Sequence, residues 1–532
     1  MLFLSYEMNF LLAVMPAVLM LIAVGRAYCS KQPVERMWCQ FNRLTLAALV
    51  FALLGLVSQL TLGFLPGGTG PWMDGWLAAG LFGAWVSLLV QLLGLVIGLY
   101  SSRHLRGEPR QQVYITALAA VLAGVHVLLL ADHWLVLIAA WAAIGHAMHY
   151  LLCFYPDRPF ALLAAHKKKA ADRAADVLLV LAATLAWSQV GSGSLSALWV
   201  YIAAGHASGV LAWSGVCLAL AVIARTALMP VHGWLVQVME APTPVSALLH
   251  AGVVNLGGYV LVLFAPLLGV SLAARWLLVG FGLVSAIVAG LVLLTRVSQK
   301  VHLAWSTIAQ MGFMLLECGL GLYLFAALHL LGHSLYKAHN FLNASSAVQA
   351  CNRKLMLGEY RNSGLSMLLA VPVSLFVVFT IQLALGSHAW HWWWSALLAL
   401  AWAPVLWVPA MQHELPMQRW VRCLTALACA AFLTLAAGVL DQAPIGAGSD
   451  PLEAAGVVAL AGMAAMYLSM VALQRWPQAA IGVRRWVYAG FYMDEGYTWW
   501  LLRLWPTAWA AVGRPSVPVR PALVAGHSTQ GF

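Results

Sequence analysis

A chain of 532 residues with 63% hydrophobic and only 8% charged side chains is too apolar for a soluble globular protein, in which about a quarter of residues are charged. Its formal net charge of +11 invites a nucleic-acid reading, but the basic residues recur in alternate loops, which is the pattern of membrane orientation and excludes a nucleic-acid-binding face. The cysteines, Cys29, Cys39, Cys153, Cys217, Cys318, Cys351, Cys423 and Cys429, show no CxxC pair or other metal-ligand spacing and read as apolar filler.

Apolar stretches of about 20 residues, enough to cross a ~30 Å hydrocarbon core, recur from Phe10 to Leu502, about fifteen in number. They lack the ~10-residue alternation of barrel strands, so lipid leaves them only the helix. The chain is predicted to be an all-α polytopic membrane protein of about 13–15 transmembrane helices. The first span has neither a basic leader nor a small-residue cleavage site and reads as a retained helix. No Gly-rich nucleotide loop follows a strand, so any redox or nucleotide chemistry is expected in a partner.

Arg26, Lys31, Arg36 and Arg43 follow the first span, Arg103, Arg106 and Arg110 the third, and Arg158, Lys167, Lys168, Lys169 and Arg173 the fifth. The alternate loops, LPGGTGPWMDG and the stretch from Ser188 to Gly209, carry no basic residue. The rhythm continues through Arg296 and Lys300, Arg353 and Lys354, Arg419 and Arg422, then Arg475, Arg484 and Arg485, with Arg275 alone on the poor side. The positive-inside rule therefore places the N-terminus outside and the C-terminus in the cytoplasm. Lys167 to Lys169 read as a solvated basic face that fixes orientation and touches anionic lipid.

The seventh span, Ser214 to Met239, contains Pro230, which removes a backbone bond and clashes with the preceding turn. Such an interrupted helix either lines a transport path or is a plain kink. Pro372 in the twelfth span is a candidate counterpart without a charge beside it. In FAALHLLGHSLYKAHNFL, His329, His333 and Lys337 lie four apart and form one polar stripe on a helix. Ionisable groups within a bilayer cost roughly 2.5–3.5 kcal/mol each on insertion scales and commonly mark an ion route. The other reading is that the imidazoles hydrogen-bond neighbouring helices. Ser306, Thr307 and Gln310 on the tenth span are candidates to hold linking water. From Arg485 onward, RRWVYAGFYMDEGYTWWLLRLWPTAW suits the interface or a partner's surface, and Arg514 to Phe532 read as loose.

Three segments in order, PVHGWLVQVMEAPTPVSALLHAGVVNLGGYVL, KVHLAWSTIAQMGFM and HLLGHSLYKAHNFL, resemble the antiporter-like subunits of respiratory complex I and of multisubunit sodium/proton antiporters. The likeness covers roughly Phe82 to Ser346. Within that superfamily, MEAPTPVSALLHAGVVN, SRHLRGEPRQ, the YPDRP loop and VYAGFYMDEGYTWWLLRLWP look like the membrane subunit of DAB-type inorganic-carbon accumulation complexes. The resemblance implies an inverted-repeat core with an interrupted seventh helix. It divides the chain into N-terminal helices (1–110), a first antiporter-like half (111–266), a second (267–411), C-terminal helices (412–480) and a cytoplasmic interfacial, partner-binding tail (481–532).

Carried over residue by residue, the family's conducting positions are Asp176 with Arg173, His250, Lys300, His329, His333 and Lys337. Two positions depart. The fifth span reads Trp141-Ala142 where the family has a buried glutamate, and the seventh has Arg225 where the family has lysine. The twelfth-span lysine is also missing. A buried lysine can shed its proton, whereas arginine stays charged, so Arg225 is expected to hold an acid or exclude cations. A first-half route would have to use His146, His149 and His250 or water. Glu240 reads as a proton port, a cap or a partner contact. Asp176 with Arg173 reads first as an ion pair at the membrane edge, and Lys300 reads as a relay member or a snorkelling side chain.

The implied activity is a proton-conducting, or more broadly cation-conducting, subunit in a bacterial inner membrane. It would energise CO2 or bicarbonate accumulation by a large cytoplasmic zinc-binding partner related to β-carbonic anhydrases. No cofactor is expected in this chain, and the Zn2+ and hydration chemistry would be the partner's. The alternatives are a proton-pumping subunit of an NADH:quinone oxidoreductase-type or sodium/proton antiporter complex, and an anchor that conducts nothing.

Overall fold

The computed structural model describes residues 2–62, 75–344, 361–385, 390–410, 416–446, 448–476, 478 and 481–507. Arg353, Lys354, most of the LPGGTGPWMDG loop and the tail from Arg514 lie outside the described residues. The described residues begin with α1 (Leu2–Cys29), α2 (Val34–Leu62), α3 (Leu81–His104), α4 (Gln111–Leu129), α5 (Trp134–Leu152), α6 (Pro159–Val190), α7 (Leu195–Ala203), α8 (Gly209–Arg225), α9 (Gly233–Gln237), α10 (Thr243–Ala251), α11 (Leu256–Leu263) and α12 (Ala265–Val270). There follow α13 (Leu272–Leu293), α14 (Gln299–Leu320), α15 (Tyr323–Leu342), α16 (Gly364–Leu385), α17 (Trp392–Trp402), α18 (Pro416–Leu440), α19 (Glu453–Arg475), α20 (Ile481–Tyr488) and α21 (Met493–Leu504).

Eleven of the described spans are long and apolar enough to cross a membrane, α10 and α11 together counting as one, and two shorter apolar helices, Gly209–Arg225 and Trp392–Leu406, supplement them. The two remaining long helices are α6 and α15. Each interrupts its apolar run with ionisable side chains, Lys167 to Asp176 in one and His329 to Lys337 in the other. Together these account for the number of spans read from the sequence.

The seventh span is broken as expected, but the break begins at Arg225, the last residue of α8, and extends to His232. The eighth is broken too, which was not anticipated: α10 stops at Ala251, Gly252 adopts φ −122° and ψ −74°, and a short 3-10 turn leads into α11. In contrast, Pro372 sits inside an uninterrupted α16. A strand-free chain was expected; Arg361–Asn362 nevertheless pairs antiparallel with Pro409–Ala410. This ladder lets two extended loop ends satisfy each other's backbone groups.

The main core joins α1 to α15, where Trp134, Trp234, Phe264 and Phe341 are fully buried. Smaller clusters sit under Trp393 and Trp394 and around Tyr467, whose hydroxyl donates to Met367 O at 3.1 Å and accepts from Trp407 Nε1 at 3.0 Å. Arg275, the apparent exception to the charge rhythm, is buried. Its Nη1 donates to Asp450 at 2.9 Å, its Nε to Gly319 O at 3.1 Å and its Nη2 to Asp450 O at 2.6 Å. The guanidinium is a clamp between helix ends and not an orientation signal.

Candidate ion pathway

Two polar layers lie inside the apolar bundle. In the second half, α14 and α15 run antiparallel around the Gly321 turn, where φ is +81°, so residues three to four apart on each face meet in register. Lys337 is completely buried; its Nζ donates to Leu303 O at 3.0 Å and to Ser306 Oγ at 2.7 Å. Among the described residues no carboxylate pairs with it. Thr307 donates its one hydroxyl proton to Leu303 O at 3.0 Å and lies 3.0 Å from His250 Nδ1. The other ring nitrogen of His250, Nε2, has no partner among the described residues. His250 also stacks on Phe341 at 4.5 Å.

One turn beyond Lys337, His333 is buried with neither ring nitrogen hydrogen-bonded among the described residues. Its ring lies 6.0 Å from that of His329, whose Nδ1 meets Glu317 Oε2 at 2.8 Å. Buried polar groups of this kind are normally satisfied by water. Asn255, just after the break in the eighth span, reaches Ser334 Oγ at 2.6 Å and Ala251 O at 2.9 Å. Lys300 Nζ donates to Thr243 Oγ1 at 2.9 Å at the start of α14. Seventeen residues separate it from Glu317, about 25 Å along the helix, so the polar groups extend over most of a membrane thickness. Glu317, Asn255 and Ser334 were not singled out in the sequence. Gln310 is exposed and faces away.

In the first half, Arg225 holds an acid, one of its two expected roles, but the acid is Asp176, whose expected partner was Arg173. Asp176 is in contact with Arg225 of α8, and Arg173, largely exposed, lies 3.8 Å away. The Asp176–Arg173 pair is thus secondary, because helix packing brings a buried guanidinium to the carboxylate. Arg225 also lies over the Trp141 ring at 4.6 Å. Lys168 pairs with Asp172 one turn along α6. His146 and His149 line a cavity of about 340 Å³ between α5 and α6, together with Ala142. His250 does not join them; it belongs to the second layer.

Lys167 and Lys168 are buried, and only Lys169 of the trio is exposed. The expectation of a solvated face fails because two acids supply the missing counter-charge. Lys167 Nζ meets Asp494 at 2.8 and 3.0 Å, and Gln237 Nε2 meets the same carboxylate at 3.0 Å. Asp494 lies in the first turn of α21, so the C-terminal segment docks on α9, just past the break of the seventh span. It sits directly over Gly233, where a Cβ would overlap the carboxylate. Beside it, burial and then the Asp494 charge push the Tyr497 phenol above its usual range. Glu240 closes a 3-10 turn; its backbone carbonyl accepts from Arg158 Nη1 at 2.6 Å, and its Oε2 has no partner among the described residues.

Comparisons with known proteins bear on the family and the fold. Residues 131–411 match the NADH:quinone oxidoreductase/Mrp antiporter transmembrane family. The chain is 33% identical over 476 residues to the probable inorganic carbon transporter subunit DabB of Hydrogenovibrio crunogenus, covering 81% of this chain and 86% of that one. It is 40% identical over 398 residues to the probable inorganic carbon transporter subunit DabB2 of Halothiobacillus neapolitanus, covering 72% and 71%. With NADH-quinone oxidoreductase subunit L of Mycobacterium tuberculosis it shares 32% over 292 residues, 54% of this chain and 46% of that one. Its fold is similar to a chain of the archaeal membrane-bound sulfane sulfur reductase (TM-score 0.55, 18% identity, 92% and 99% covered). A chain of the Mrp complex from Dietzia sp. is also similar (0.54, 21%, 100% and 64%).

Proposed function

This chain belongs to the NADH:quinone oxidoreductase/Mrp antiporter membrane family and, within it, to the DabB inorganic-carbon transporter subunits, and from that premise we propose that it conducts protons to energise inorganic-carbon accumulation by a cytoplasmic partner. The observation that carries the reading is Lys337: a fully buried ammonium held, among the described residues, by neutral oxygens, in line with His333 and the His329–Glu317 pair. Ammonium without a counter-ion in a low-dielectric site is the lysine state that releases a proton readily. Water between Lys300, Lys337 and the imidazoles would complete a relay.

In this reading the membrane is a bacterial inner membrane, the basic loops face the cytoplasm and the N-terminus lies outside. Protons leave or enter at Glu317 on the outer side and at Lys300 on the inner side. The hydration chemistry and its Zn2+ belong to a large carbonic-anhydrase-like partner that docks near the C-terminal segment. Lys337→Ala is expected to abolish growth rescue at low CO2 while the complex still assembles; full rescue overturns the relay. The similarity to NADH-quinone oxidoreductase subunit L supports a second reading, a proton-pumping module of a redox or antiporter complex. Isolation of the native complex separates the two, since a zinc protein should co-purify in the first case and quinone-linked or small antiporter subunits in the second.

A further inference from the structure

The cavity between α5 and α6 takes no part in the relay just described, and its wall has a distinctive charge balance. Small residues of α5, Ala142 and Gly145, face a polar stripe of α6 across about 340 Å³. The space corresponds to about eleven water molecules at roughly 30 Å³ each. Two carboxylates reach it, and each already holds a cation: Asp172 holds Lys168, and Asp176 holds Arg225. Lys169 and Arg173 are left over at the mouth, Arg173 approaching Asp176 no closer than 3.8 Å. His146 and His149 add ring nitrogens to the same lining.

Surplus cations in a cleft with apolar walls attract anions and repel mobile cations. A guanidinium cannot relieve that field by losing its proton. The donors present, an ammonium, a planar guanidinium fork and imidazole N–H groups, match the oxygens of a small oxyanion. We propose that this cavity binds a small monovalent oxyanion of the bicarbonate class, making the first half an anion site beside a proton-conducting second half. The choice of bicarbonate as ligand rests on the inorganic-carbon reading above; the charge balance does not. A lipid phosphate has the same recognition chemistry, and the test separates the two sources.

The full-length chain, separated from the partner to which the hydration chemistry is assigned, is placed in nanodiscs of phosphatidylcholine, and 13C-bicarbonate is titrated in while its 13C line width is followed without any gradient. Saturable broadening is expected, displaced by nitrate and not by an equal concentration of chloride. The pair Lys169→Gln/Arg173→Gln removes the surplus charge at exposed positions and is expected to weaken binding about tenfold or more. Ala142→Glu adds a carboxylate inside the cavity and is expected to abolish binding. Lys337→Ala should leave the titration unchanged, so a failed relay and a failed anion site give different results. Broadening that persists in both cavity variants overturns the proposal. So does an anionic lipid retained by the native chain and lost from the double variant, with no bicarbonate binding in either.

Discussion

The two halves of the bundle each bury a cation beside a broken span, yet they neutralise it differently. Arg225 at the end of α8 lies against Asp176 and the Trp141 ring. Among the described residues, Lys337 on α15 is met by a carbonyl and a hydroxyl. A guanidinium with its own carboxylate is a fixed, locally neutral pair, whereas an ammonium among neutral oxygens has two accessible states. The same architecture therefore yields a static element in one half and a switchable one in the other, and the side-chain type with its partner decides which.

The sharpest way to break this contrast is Lys337→Arg, which gives the second half the first half's chemistry. Charge and approximate length are kept, so assembly should be normal, and proton flux into liposomes should fall to the level of Lys337→Ala. Flux near wild type would mean the group never changes protonation. Next is Arg225→Ala, which strands Asp176 in a partly buried site and should destabilise the protein by about 3–5 kcal/mol, read as a lower midpoint of thermal aggregation; an unchanged midpoint would show that Asp176 is not held by this pair. Glu317→Gln retains a hydrogen-bond partner for His329 but removes its charge. Flux should fall by about tenfold, as for loss of one proton-transfer group, with thermal stability nearly unaltered. The smallest effect is expected for Arg173→Gln, whose exposed, long contact with Asp176 should contribute less than about 1 kcal/mol to stability.

How much of this was legible follows from the range of each interaction. The stripe of His329, His333 and Lys337 is a property of one helix, so i,i+4 spacing alone located it. The break near Pro230 was equally local. Glu317 was passed over because its partner His329 lies 12 residues on, across the turn at Gly321; an acid a few residues before a helix-ending glycine was the available signal. His250 was assigned to the first half by its place in the chain, whereas the broken eighth span turns it towards Thr307. The burial of Lys167 could not be read locally at all, since its counter-ion is 327 residues away. Nor does sequence distinguish Asp176's two candidate cations; only packing of α8 on α6 makes Arg225 the nearer.

The seat of Asp494 over Gly233 has a consequence for biogenesis. Lys167 enters the bilayer region early in synthesis, while the residue that neutralises it emerges only near the end. A chain stopped before residue 493 would lack this counter-ion for Lys167. Glycine at 233 is what leaves room for that carboxylate to reach Lys167, so any larger residue there would force the two ends of this contact apart.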